Sequence, residues 1–133
     1  MYEKRSNAII KSINMETRLL QIEKELPTLL GGFELTKKAF EYCQEIDKYY
    51  GYLGRQPSIK LTPEQEKVQF RRQVFKYQFH IDIRKKRFNT LMEALKKCTN
   101  PLDETNMEME LSALSMDINS KVDWLDSFKL RKK

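Results

Sequence analysis

The sequence predicts an all-α protein, and three observations support that prediction. Apolar residues recur at alternating spacings of four and three along most of the chain, which keeps them on one side of a helix. Only four glycines and four prolines occur in 133 residues, too few for the many turns of an all-β fold. Aromatic residues make up 11% of the chain, which argues against disorder. The length fits a single domain that spans residues 1–133.

We expect a four-helix bundle-like domain, in which helices 3 and 4 form a long antiparallel hairpin and two helices precede it. Pro27 ends the first helix, and Gly31-Gly32 separate it from the second, because glycine adopts backbone angles that helices do not use. The expected helices cover residues 5–26, 34–50, 63–98 and 103–128, followed by a basic tail at 129–133.

Apolar residues lie on two sides of the first helix, so this helix should contact more than one neighbour. One side carries Ile9, Ile10, Ile13 and Leu20. The other side carries Ala8, Met15, Leu19, Ile22 and Leu26.

The second helix keeps the four-three spacing from Leu35 to Tyr49, and residues 51–61 after it form the longest irregular segment. Two hypotheses fit the tyrosines where this segment begins. They either fill the end of the core or anchor a partner on a constrained loop. The residues concerned are Tyr49, Tyr50 and Tyr52.

The third helix begins at the clearest local signal in the chain. Thr62 and Gln65 have the spacing of a capping box, and Pro63 suits the first helical position. This helix is apolar on two roughly opposite sides, so it needs partners on both. Three residues of the second side are candidate partner-binding residues, in addition to the tyrosines above. They are Phe75, Phe79 and Ile83.

The fourth helix repeats the same spacing, and the short turn at residues 99–102 predicts an antiparallel hairpin with the third. In such a hairpin, matched layers have a nearly constant sum of residue numbers. The expected layers pair Cys98 with Met107, Leu95 with Leu111, Leu91 with Leu114, Phe88 with Ile118, Ile81 with Leu125, and Tyr77 with Phe128.

One layer of this hairpin pairs two cations, Arg84 and Lys121. They either lie at the edge of the seam with their charged groups in water, or share a carboxylate such as Asp82 or Asp117. We expect this layer to fix the register of the hairpin.

Charge supports the pairing of the same two helices. Residues 63–99 carry ten lysines and arginines against four acidic residues, whereas residues 100–128 carry one lysine against seven acidic residues. Opposite charges along the rims favour this partner and direction more than they add stability.

No pattern in the chain indicates catalysis, a metal site or a cofactor. His80 is the single histidine, and neither a phosphate-binding glycine loop nor a zinc or nucleophile motif occurs. Cys43 and Cys98 lack the spacing of a redox pair, and we expect both to be reduced and buried rather than bridged. We see no secretory signal and no membrane-spanning run, so we expect a cytoplasmic protein. Because no catalytic or binding motif occurs, we expect no small-molecule substrate.

Two functions remain, and we expect the first. It is a non-enzymatic helical interaction module, an adaptor, assembly subunit or inhibitor, that presents helix faces to a protein partner or to a second copy. The alternative is a small basic nucleic-acid-binding protein that contacts phosphates through helix 3 and the tail. Its candidate phosphate-binding residues are Arg72, Lys86, Lys97, Lys129, Arg131, Lys132 and Lys133.

Overall fold

The computed structural model describes residues 2–29 and 31–131. They form four α-helices, α1 (Tyr2–Glu25), α2 (Gly32–Gly54), α3 (Pro63–Lys97) and α4 (Pro101–Arg131), and a short 3-10 helix at Leu26–Thr28. No strand occurs within those ranges. The all-α class and the close packing of α3 against α4 in a helical hairpin are confirmed.

The chain forms two compact units, of which the first ends at Arg72 and the second begins at Gln73. The boundary therefore falls inside α3. The first unit contains α1, α2 and the start of α3, and the second contains the rest of α3 and all of α4. That residues 1–133 make up a single domain stays a prediction from the sequence.

The break between α1 and α2 follows the expected chemistry. Pro27 lies in the 3-10 helix that ends α1. Gly31 and Gly32 have φ values of 97° and 73°, which residues with a side chain rarely adopt. The predicted break at the glycine pair is confirmed.

The second helix is longer than the sequence indicated, because it continues through Gly51 to Gly54 instead of ending at residue 50. A glycine inside a helix costs only about 1 kcal/mol relative to alanine. Leu53 is buried in the core, and its packing favours the extra turn. The amide of Arg55 then donates to the carbonyl of Tyr52 at 3.0 Å, where the helix ends.

Side chains cap the starts of the two long helices. Thr62 and Gln65 form the predicted capping box: the Gln65 amide donates to Thr62 Oγ1 at 3.2 Å, and the Thr62 amide donates to Gln65 Oε1 at 2.8 Å. At α4, the Asn100 side-chain oxygen accepts from the Leu102 amide at 2.9 Å. Pro101 occupies the first helical position, so α4 begins two residues earlier than predicted.

The core of the first unit lies between α1 and α2. It uses the second of the two apolar sides predicted for α1, since Leu19 and Ile22 are fully buried. Ile59 and Leu61, from the segment before α3, pack against the edge of this core. The buried cluster comprises Leu19, Ile22, Tyr42, Ile46, Tyr49 and Leu53.

The second unit is organised by the seam of the hairpin. Among the described residues of this unit, the buried apolar side chains all belong to the stripes predicted for that seam: Ile81, Leu91, Leu111 and Leu125. Three side-chain contacts between the helices connect later residues of α3 to earlier residues of α4, as an antiparallel pair requires. They join Arg84 to Asp117, Arg87 to Glu110, and Tyr77 to Trp124.

Candidate interaction surfaces

A buried ionic network connects α1 and α3 in the first unit. Arg72 is 2% exposed, and its guanidinium donates to both carboxylate oxygens of Glu23, at 3.1 and 3.0 Å. A third donor reaches Tyr50 Oη at 3.0 Å, and Tyr42 Oη also donates to Glu23. Because the ion pair joins Arg72 of α3 to Glu23 of α1, this network holds α3 against α1.

The pKa values of this network follow from burial and hydrogen bonding together. Burial disfavours the ionised form of Glu23, but hydrogen bonds from Arg72 and Tyr42 outweigh it, so the pKa of Glu23 lies below its ordinary value. Burial also raises the pKa of the Tyr42 hydroxyl, and the adjacent Glu23 carboxylate raises it further. The network is therefore ionised at Glu23 and Arg72 and neutral at Tyr42 near neutral pH.

The three tyrosines predicted as partner-binding candidates lie on α2 rather than on a loop. Tyr49 is buried and donates to Glu16 at 2.7 Å, while Tyr50 is half-buried against Arg72. Tyr52 is half-buried, with Lys11 Nζ lying 4.7 Å from its ring centre. Tyr49 belongs to the core cluster and Tyr50 packs against it, while the partner-binding role of the three tyrosines stays a prediction.

A small groove opens beside these tyrosines, between α1, α2 and the start of α3. Its volume is about 110 Å³, and it is lined by Glu16, Tyr49, Tyr50, Arg72 and Val68, among others. Sites for drug-sized ligands and cofactors are usually about 300–1,000 Å³. The groove is large enough for a few water molecules and too small for a cofactor.

One apolar side of α1 remains open to solvent. It consists of the first set predicted from the sequence, and we name it the α1 outer face. Helical spacing places these residues on a side about 100° wide, away from the buried side that packs against α2. Their exposed fractions are Ile9 42%, Ile10 53%, Ile13 58% and Leu20 47%.

The cation layer of the hairpin contains a shared carboxylate. Asp117 accepts from both predicted members: Arg84 Nε donates to one oxygen, and Lys121 Nζ donates to the other at 2.7 Å. These hydrogen bonds, from Lys121 and then Arg84, lower the pKa of Asp117. All three side chains are 28–40% exposed, so the layer lies at the edge of the seam and also shares an acid.

The second side of α3 is partly open. Phe75 is 37% exposed, and Phe79 and Ile83 are half-buried. The rings of Phe75 and Phe79 are parallel, with centres 6.3 Å apart. The structure thus keeps these three predicted candidates together on α3, and their partner-binding role stays a prediction.

A second open apolar face lies on α4, and we name it the α4 methionine face. It comprises Leu102, Met109, Ala113 and Met116, of which the leucine and the two methionines are 67–72% exposed. Spacings of seven, four and three residues align them on one side of the helix. Met109, Ala113 and Met116 are all exposed, on the side of α4 that faces away from the seam.

An aromatic cluster near the end of this face was missed by sequence reasoning. The ring of Trp124 lies tilted by 35° against Tyr77 with ring centres 3.9 Å apart, and it stacks on Phe128 with centres 5.1 Å apart. Trp124 lies beside the predicted seam rather than on it, so the stripe pattern did not select it. Its spacing of four from Phe128, typical of an aromatic pair on a helix, is the signal that could have found it.

The candidate phosphate-binding residues do not share one environment. Sequence reasoning placed Arg72 on an exposed basic face, and the structure corrects this: it is buried and paired with Glu23, as the local helix pattern could not show. The remaining described candidates are exposed on α3 and α4, while Lys132 and Lys133 lie outside the described residues. The exposed candidates are Lys86, Lys97, Lys129 and Arg131.

Reactive groups are dispersed over the part of the chain that the structure describes. No group of three or more histidine, cysteine or acidic side chains there could hold a metal ion. Cys43 is buried and Cys98 half-buried, and both are free thiols. His80 is half-buried on α3, with its ring centre 6.0 Å from that of Phe79. Nor does any helix in the described ranges have the length and apolarity needed to cross a membrane.

The chain was compared with known protein families, curated proteins and solved structures. No protein-family model, curated protein or solved structure matches this chain. Function must therefore be inferred from the surfaces themselves.

Proposed function

We propose that this protein is a non-enzymatic, cytoplasmic helical interaction module, and that a second copy of the chain covers the α1 outer face. The observation that supports this proposal is the exposure of four large aliphatic side chains on one side of a helix whose other side buries Ala8, Leu19 and Ile22. They expose on the order of 400 Å² together, within the range of the largest apolar patches on monomeric proteins.

The pattern of the α1 outer face suits pairing with its own copy. In an isologous dimer the same face of each copy meets the other, so the aliphatic residues of one α1 would pack against those of its partner. One flank carries the uncharged Asn14 and Gln21, and the other carries Glu16, which accepts a hydrogen bond from Tyr49 within the chain. Two copies would bury on the order of 800 Å² from the aliphatic groups alone, and the flanks would bring the contact near the lower limit of about 1,200 Å² for stable interfaces.

Sedimentation velocity over a range of concentrations tests this proposal. We expect concentration-dependent dimers, and a loss of about tenfold or more in dimer affinity when Ile10→Gln and Ile13→Gln are combined. Glutamine forms helices well, so the fold should persist. The matched control is Phe33→Gln, which removes an 81% exposed aromatic on α2 and should leave dimerisation unchanged. A strictly monomeric wild-type protein would contradict the proposal.

Nucleic-acid binding remains the second candidate, favoured by the exposure of Lys86, Lys97, Lys129 and Arg131. Retention of random DNA or RNA should fall steeply between low and physiological salt if these groups contact phosphates. Combining Lys129→Gln and Arg131→Gln should then reduce the salt dependence. No retention at low salt would exclude this candidate.

A further inference from the structure

The α4 methionine face is an uncharged strip in an otherwise acidic helix. The side of α4 centred on Met109 and Met116 also carries Thr105, Asn106 and Ser120, and no charged residue interrupts the strip from Leu102 to Ser120. Exposed methionine is flexible and polarisable, and adapts its shape to an incoming apolar surface. The strip is thus suited to the apolar side of another helix.

Charge on the two flanks of this face differs. On one flank, Glu110 pairs with Arg87, and Asp117 pairs with Arg84 and Lys121, so the hairpin neutralises these acids. On the other flank lie three exposed acids: Glu108, Asp123 and Asp126. Among the described side chains, no ion pair involves any of these three. Glu108 and Asp126 are eighteen residues apart, about five full turns, so they lie in line along the helix.

The charge of Glu108, Asp123 and Asp126 determines which kind of helix can bind favourably to the α4 methionine face. Antiparallel pairing with α4 of a second copy would bring the same acidic flanks together, which is unfavourable. A helix with lysine or arginine beside its apolar side would place cations against these acids and aliphatic groups against the methionines. Charge complementarity therefore favours a basic occupant.

We propose that the α4 methionine face binds a basic amphipathic helix of a partner protein. This inference rests on the proposed function as an interaction module, but it uses a different helix from the self-association described above. Apolar contacts to Met109 and Met116 provide the affinity, and Glu108, Asp123 and Asp126 select for positive charge. Trp124, 39% exposed near one end of the face, lies within reach of an occupant that extends along α4.

A peptide titration tests this proposal on the full chain. The probe is a synthetic amphipathic Leu/Lys helix of about 18 residues, or five turns, and its control is the matched Leu/Glu peptide. Trp124 is the single tryptophan of the chain, so its fluorescence reports binding at α4. We expect saturable binding of the Leu/Lys peptide and none of the Leu/Glu peptide.

Two sets of variants separate recognition by this face from general charge attraction. Combining Met109→Gln and Met116→Gln should weaken binding by about tenfold or more, since both side chains would be buried in the complex. The matched control is Met92→Gln, which changes a 38% exposed methionine on α3 and should leave binding unchanged. Combining Glu108→Gln, Asp123→Asn and Asp126→Asn should weaken binding of the Leu/Lys peptide and reduce its salt dependence.

Several outcomes would overturn the proposal. Equal binding of the acidic peptide, or unchanged affinity in the double methionine variant, would show that this face is not the site. A change of dimer affinity in the double methionine variant, measured by sedimentation, would show instead that a second copy covers the face. If the α1 variants abolish dimerisation and peptide binding still fails, the proposed function stands and only this inference is lost.

Discussion

Removing the charge of Glu23 should destabilise the first unit, because it leaves the buried Arg72 without its counter-ion. Glu23→Gln keeps the size and one oxygen acceptor of the side chain, but turns an NH₂ group toward guanidinium donors. The bidentate bonds at 3.0 and 3.1 Å would both be weakened. The variant therefore isolates the contribution of the charge.

The expected loss follows from the burial of the two partners. Breaking a fully buried ion pair by removing one partner costs about 3–5 kcal/mol. Arg72 is 2% exposed but Glu23 is 31% exposed, so water compensates for part of the loss. We therefore expect the free energy of unfolding to fall by about 2–3 kcal/mol.

Urea denaturation followed by circular dichroism at 222 nm measures this loss. The matched control is Glu64→Gln, which removes a charge from the exposed Lys67–Glu64 pair, 74% and 85% exposed, and should change stability by less than about 1 kcal/mol. Combining Glu23→Gln with Arg72→Met should recover much of the loss, since no unpaired buried charge remains. A Glu23→Gln variant as stable as the Glu64→Gln control would refute the reasoning.

Four further predictions rest on single features of the structure. Since folding lowers the pKa of Glu23 below its ordinary 4.5, its ionisation stabilises the fold above that pH. The stability difference between wild type and Glu23→Gln should thus be constant above about pH 5 and shrink as pH falls through the folded-state pKa, as urea titrations at several pH values would show. Arg84→Leu should leave the melting temperature equal or higher. Asp117→Asn should lower it, because the cations of Arg84 and Lys121 would then lie side by side without their shared carboxylate. Calorimetry would contradict this reasoning if Arg84→Leu lowered the melting temperature by several degrees. Thr62→Ala should lower stability by about 1 kcal/mol through loss of the cap, with exposed Ser58→Ala as a neutral control. Gly31→Ala should lower the free energy of unfolding by about 1–2 kcal/mol, because alanine is strained at φ 97°. No clash adds to this cost, since a β-carbon there meets no atom within 4 Å. An unchanged urea midpoint would contradict this prediction.

Local and periodic features could be predicted from the sequence because they depend on neighbours along the chain. The capping box at Thr62 needs only Gln65 three residues later, and the seam needs only a repeated spacing on each of two helices. All four buried apolar residues of the second unit belong to those stripes. Because the turn between the two helices is short, they can pair only in the antiparallel direction.

Features that depend on which helices meet could not be predicted in the same way. Arg72 belongs to a basic stretch of α3 in the sequence, and only the fold brings Glu23 of α1 against it. The two apolar sides of α1 were both visible, but nothing local shows which one packs on α2. The extension of α2 to Gly54 depends on burial of Leu53, which outweighs the weak helix preference of Gly51.

The distribution of paired charges bears on the choice between the two functions. Arg72, Arg84 and Arg87 form ion pairs within the chain, so three of the cations on α3 are already engaged with carboxylates. The acidic residues of α4 outnumber the lysines and arginines that form ion pairs with them. Three of the remaining acids, Glu108, Asp123 and Asp126, lie beside the α4 methionine face. A phosphate backbone bound by Lys86, Lys97, Lys129 and Arg131 would also have to approach an acidic helix, whereas a basic helix would meet exposed acids and open methionines. This charge balance favours a protein partner over a nucleic acid.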